Sequence, residues 1–164
     1  MKRLLFLSIC LLLLLNISAC KRHITESATL LVEDSQFSLS EEITIAEMNT
    51  EMKLYINEVE IPVTWEENPS VDALKEELKD GDIVVSMSMY GGNEQVGSLG
   101  KHYPSNDVRT TTNNGDIVLY NSNQIVVFYG SNSWAYTRLG KMNLSAEKVI
   151  ELLSNGDVSI RLAL

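Results

Sequence analysis

Ile83-Val84-Val85-Ser86-Met87-Ser88-Met89-Tyr90 alternates along its whole length, with Ile83, Val85, Met87 and Met89 on one side and Val84, Ser86, Ser88 and Tyr90 on the other. Successive side chains of an extended chain point to opposite faces, so this period of two predicts a strand with one apolar face. Gly91-Gly92-Asn93 turns the chain after it, and a polar, glycine-rich stretch from Gly97 to Asn106 reads as a long surface loop. Such a loop either carries a binding site on a rigid scaffold or simply bends where its glycines permit.

Outward from that strand the pattern stays regular. Lys53 to Asn57 and Val59 to Trp65 predict a hairpin about Asn57-Glu58, with Leu54 and Ile56 on one face. Pro69 and Ser70 open a helix with Val71, Leu74 and Leu78 at helical spacing, and Asp80-Gly81-Asp82 closes it. Downstream, Val108 to Thr112, Ile117 to Tyr120, Gln124 to Tyr129 and Trp134 to Leu139 are short strands separated by turns rich in Asn, Ser and Gly. A second helix starts at Ser145, with Ala146, Val149, Ile150 and Leu153 on one face, and stops at Gly156; Val158, Ile160, Leu162 and Leu164 alternate in the last strand. The fold class is therefore mainly β. About eight strands and two helices in about 110 residues suit one domain, and short strands with tight turns favour a closed barrel whose open ends the helices cap.

The N-terminus has a different character. Lys2 and Arg3 precede an apolar run from Leu4 to Leu15 broken only by Ser8. That run is shorter than the roughly 20 apolar residues that cross a bilayer and matches the apolar part of a signal peptide. It ends in Ile17-Ser18-Ala19-Cys20, which resembles the lipobox of bacterial lipoproteins: a branched apolar residue, two small ones, then the cysteine that accepts lipid. The expected organisation is a signal peptide over 1–19, a tether over 20–52 lipidated at Cys20, and a domain over 53–164 in the cell envelope, outside the cytoplasm. Residues 21–52 carry no Gly or Pro and no sustained period, which reads as an extended tether; alternatively Glu42 to Met48 adds a strand to the domain.

Composition excludes several chemistries. Cys10 leaves with the signal and Cys20 is blocked by lipid, so the mature chain keeps no free thiol and no disulfide. His23 and His102 are the only histidines, too few and too far apart for a multi-histidine metal site or a histidine-based triad. Neither a metal nor a cofactor is expected. Removing residues 1–19 takes away Lys2 and Arg3 and no acid, which moves the net charge from −9 to −11 and argues against nucleic acid as a partner.

Two runs carry a resemblance. Met87-Ser88-Met89-Tyr90-Gly91-Gly92 continues through Glu94-Gln95-Val96-Gly97-Ser98-Leu99-Gly100 to Gly115-Asp116-Ile117-Val118-Leu119-Tyr120. Tyr129-Gly130-Ser131-Asn132-Ser133-Trp134-Ala135-Tyr136-Thr137-Arg138-Leu139-Gly140 is the more specific of the two. Both resemble the small prokaryotic cyclophilin-like proteins, and the resemblance spans about Lys53 to Leu164. It implies a closed eight-stranded barrel capped by helices. The phenylalanine-histidine-arginine strand motif and the glutamine-rich segment of true prolyl isomerases are not visible here.

An isomerase needs an arginine donating toward the prolyl nitrogen, over an apolar recess for the ring. Arg138 is the best candidate because alternation puts it beside Trp134 and Tyr136; Arg109 and Arg161 are the other strand-borne arginines. Met87, Met89, Tyr90, Leu99, Tyr129, Trp134, Tyr136 and Arg138 are thus the ligand-binding candidates. The methionines also suit plain barrel filling, and Arg138 also suits stacking on an aromatic neighbour. Arg161, between Ile160 and Leu162, reads as an outward-facing strand residue. The acidic pairs Glu41-Glu42, Glu66-Glu67 and Glu76-Glu77 diverge on their elements and read as solvated surface. The leading expectation is a membrane-anchored module that binds a peptide, an exported protein segment or a small ligand. A peptidyl-prolyl isomerase acting on exported proteins and a structural component of an envelope complex are the alternatives.

Overall fold

A computed structural model describes residues 51–164. The signal peptide, Cys20 and the tether lie outside the described residues. The chain runs through β1 (Lys53–Ile56), β2 (Val59–Ile61), β3 (Val63–Trp65), α1 (Pro69–Leu78), β4 (Ile83–Ser86), β5 (Ser88–Tyr90) and β6 (Glu94–Ser98). It continues through β7 (Val108–Thr111), β8 (Asp116–Tyr120), β9 (Gln124–Phe128), β10 (Ser133–Met142), α2 (Ala146–Leu153) and β11 (Ser159–Ala163).

Turn chemistry sets the hairpins. Asn57 and Glu58 both take positive φ, at 47° and 66°, which is the mirror-image turn that matches strand twist. It pairs β1 with β2 through Leu54↔Ile61 and Ile56↔Val59. Asn121 and Ser122, at 50° and 62°, do the same between β8 and β9. Both helices start on a side-chain cap: Asn68 Oδ1 accepts from the Ser70 and Val71 amides at 3.0 and 3.1 Å, and Ser145 Oγ from the Lys148 amide at 3.3 Å.

The strands form two antiparallel sheets. The smaller has the order β2-β1-β11-β4; the larger has the order β3-β10-β8-β9-β6-β5, with β7 paired to the first half of β10. The chain is mainly β with two helices, as the sequence pattern predicts. The two runs predicted as single strands each bend and change sheet. Val59 to Trp65 breaks at Pro62, which has no N–H to give a ladder. Ile83 to Tyr90 breaks at Met87, whose N–H turns away to the Val158 carbonyl at 2.8 Å. Both edges of the small sheet are therefore joined to both edges of the large one by a single residue.

The core lies between the sheets. Leu54, Ile56, Ile160 and Leu162 face Ile117, Leu119, Ile125, Val127 and Leu139, with Val71, Leu74 and Leu78 of α1 and Val149 and Leu153 of α2 closing it. Met52 is also buried in it. In α2 the buried stripe is narrower than its sequence pattern predicts, because Ala146 and Ile150 stay exposed. The larger sheet has a second apolar face: Val118, Val126, Phe128 and Tyr136 pack on the side away from the core. Among the described residues, no helix is long and apolar enough to cross a membrane.

Candidate functional groove

That second face carries a cavity of about 440 Å³, within the range of about 300–1,000 Å³ usual for ligand sites. Strand alternation builds it. Glu94 and Val96 of β6, Gln124 and Val126 of β9, Tyr120 of β8, and Trp134 and Tyr136 of β10 all fall on the outer side, and Tyr90 of β5 completes one wall. Asn121 and Asn132 enter from the adjoining turns.

Packing holds the rings in place. Tyr136 is buried between Phe128 and Tyr120, with ring centroids 5.6 and 5.9 Å away, each at 67° in edge contact. Its hydroxyl accepts from the Asn132 side-chain amide at 3.1 Å. Tyr90 and Trp134, by contrast, are 68 % and 55 % exposed, so the groove has fixed interior aromatics and open ones at its rim.

Among the described residues Glu94 is the one acid that lines the cavity, and it is only 6 % exposed. Its Oε2 has no hydrogen-bond partner among them. Burial pushes its pKa up from the ordinary carboxylate range, against a hydrogen bond from Asn132 that pulls it down. Burial also raises the Tyr129 and Tyr136 hydroxyls, and the Glu94 charge pushes both further.

Of the residues singled out in the sequence, the groove brings together Tyr90, Trp134 and Tyr136. Met87, Leu99 and Tyr129 are buried in the core between the sheets. Met87, at the break between β4 and β5, and Tyr129, just past β9, continue the inward side of that alternation, and Leu99 is drawn in as its amide bonds the Asn123 carbonyl at 2.9 Å. Met89, half exposed, opposes Gln95 on β5 and gives its amide to Asp157 Oδ1 at 2.9 Å, away from the cavity. Arg138 shares the outer face but binds acids: its Nη2 lies 3.2 Å from Asp116 Oδ1 and its Nε 3.5 Å from Glu66 Oε1. Lys141 reaches the same Asp116 oxygen at 2.7 Å. Asp116 is almost wholly buried, and a bulge between Arg138 and Gly140 brings both cations to it. Arg138 is thus the counter-ion of a buried carboxylate. Arg161 faces outward as its strand pattern predicts, its guanidinium 3.9 Å above the Tyr55 ring and bonded to Glu58 and Asp82.

The stretch from Gly97 to Asn106 is tied down. Tyr103 is buried, its amide bonds the Ser122 carbonyl at 2.7 Å, and its hydroxyl donates to Glu77. Ser70 Oγ donates to the Pro104 carbonyl at 2.6 Å. These bonds strap the segment to α1 and to the β8–β9 turn. Glu94, Val96, Tyr120, Gln124, Val126 and Asn132 escaped the sequence reading. A signal existed for part of the set: Ile117-Val118-Leu119-Tyr120 and Ile125-Val126-Val127-Phe128 are apolar at every position, the mark of strands covered on both faces.

No group of three or more His, Cys, Asp or Glu among the described residues is placed to hold a metal ion. The family described as the Cyclophilin-like family matches the chain over residues 54–163. Neither a curated protein nor a solved structure gives a match.

Proposed function

The chain belongs to the cyclophilin-like family, and from that premise we propose that it is a binding module which takes a peptide or small ligand in the aromatic groove of its larger sheet. One observation carries this reading. Four aromatic side chains from three different strands, together with Asn121, Gln124 and Asn132, line a single cavity on the larger sheet. An apolar lining with a few convergent polar groups is the usual make-up of a ligand site. Isomerase chemistry would require an arginine at the recess, and the best placed one, Arg138, is paired with Asp116 and Glu66.

The place of the groove on the larger sheet fits a barrel closed through its corners. With β2 and β3 taken as one bent strand and β4 and β5 as another, the two sheets form a ring of eight strands, with β7 outside it. The lipobox-like Ile17-Ser18-Ala19-Cys20 and the polar stretch after it support a lipid anchor on Cys20 and a tether that holds the module at the envelope surface.

A screen of peptides and small ligands against the isotope-labelled protein tests the reading. Ligands should shift amide signals on β5, β6, β9 and β10, and Trp134→Ala should weaken binding tenfold or more, about 1.4 kcal/mol. Its melting midpoint should barely move, because Trp134 is more than half exposed. Shifts confined to other surfaces, or a Trp134→Ala protein that binds as tightly as the parent, would overturn it.

A further inference from the structure

Glu94 is the feature of the groove that packing does not explain. A carboxylate removed from water needs a compensating donor, and leaving one oxygen unpaired is costly. Oε2 of Glu94 has none among the described residues. The cavity offers no cation of its own, since no Lys, Arg or His lines it among the described residues. Tyr90, Tyr120, Trp134 and Tyr136 line the same cavity, and electron-rich rings attract cations.

We infer that the groove recognises a lysine side chain of a peptide, its ammonium paired with Glu94 among the four aromatic side chains. This rests on the groove being a binding site and adds the chemistry of its occupant. An ammonium suits the site better than a guanidinium. Oε2 is the one oxygen of that carboxyl that is both buried and unpaired among the described residues, whereas a guanidinium fork is matched by two free oxygens. The lysine stem is apolar and lies well along aromatic walls while its head seeks the charge. Asn121, Gln124 and Asn132 supply donors and acceptors for the peptide backbone on either side. The protein's net charge of −9 draws basic segments toward it.

Intrinsic fluorescence reads the test directly. The chain has two tryptophans: Trp134 in the groove, and Trp65, whose indole N–H is bonded to the Met52 carbonyl. The full chain in neutral detergent is titrated with acetyl-Gly-Lys-Gly-amide, with the same peptide carrying norleucine for lysine, and with butylammonium. The lysine peptide should bind at least tenfold more tightly than either of the others. Glu94→Gln should abolish the preference for lysine over norleucine while still binding the norleucine peptide.

Equal binding of the two peptides, or a preference that survives in Glu94→Gln, would overturn the lysine assignment and leave the groove as a binding site. Butylammonium binding as tightly as the lysine peptide would overturn the peptide source. Failure of all three to quench Trp134 at millimolar concentration would overturn both the assignment and the groove. The comparison of peptides on the unmodified protein decides the matter even if Glu94→Gln does not fold.

Discussion

Glu94 and Gln95 are neighbours, yet the period of two sends them to opposite faces of one sheet. Gln95 turns inward and gives its amide to the carbonyls of Leu153, the last residue of α2, and of Gly156 beyond it, both at 2.7 Å. Glu94 turns outward into the groove with its carboxyl pKa raised by burial. The folded protein therefore holds that proton more tightly than the unfolded chain does. Stability must then fall as the pH climbs from the unfolded carboxylate range, and the loss is complete once the pH passes the raised value. Tyr129 and Tyr136, the ionisable groups that feel Glu94, have raised pKa values themselves and ionise far above this window. Denaturant melts of the parent and Glu94→Gln across pH should thus differ by a constant at low pH. The difference should move against the parent through the window and then level off. A difference independent of pH would mean that Glu94 ionises as freely folded as unfolded.

Among the elements, β6 shows how closely the two sheets meet at a corner. Its Gly97 lies so near the bend between β4 and β5 that a Cβ would fall 2.4 Å from Val85 Cγ1, 2.5 Å from Met87 Sδ and 3.0 Å from the Ser86 carbonyl oxygen. The constraint is space, and the sulfur can move while the valine and the backbone cannot easily do so. Gly97→Ala should cost about 1–3 kcal/mol, the usual range for overpacking a core, measured as a lowered denaturant midpoint. A variant as stable as the parent would show that the corner yields. The sequence pattern assigns Gly97 to a loop, because a glycine between polar residues looks the same whether it permits a bend or a close approach. The hairpins were easier to read. Asn57-Glu58 and Asn121-Ser122 carry their turn chemistry within two residues, and that chemistry does not depend on distant parts of the chain.

For the whole molecule, a lipid on Cys20 would set where the groove can work. A groove that takes basic peptides would be useful only where they reach it, and a tether at Cys20 would fix that place. Serine cannot form the thioether, so Cys20→Ser should lose incorporation of labelled palmitate and leave the precursor uncleaved or misplaced. Palmitate uptake that persists in Cys20→Ser, with the protein still fractionating with membranes, would remove the anchor from the reading.

By itself the sequence determined both helices, most of the strands and their order, but not β6, whose residues read as turn and loop. Alternation in Ile83 to Tyr90, caps at the helix starts and Asn-rich turns are local effects of sterics and hydrogen bonding. The motif-bearing runs likewise identified the family. The tertiary structure alone decided which candidate residues share a site. Met87 and Tyr129 are apolar strand residues like those of the groove, but the bend at Met87 and the side on which β9 meets the core turn them inward. Arg138 and Trp134 share a strand face, yet a bulge delivers the arginine to a buried Asp116 while the tryptophan stays at the rim. Glu94 looks like a solvated acid in the chain. It becomes a desolvated one only because β5, β9 and β10 surround it, and proximity between residues distant in sequence is a property of the assembled sheet.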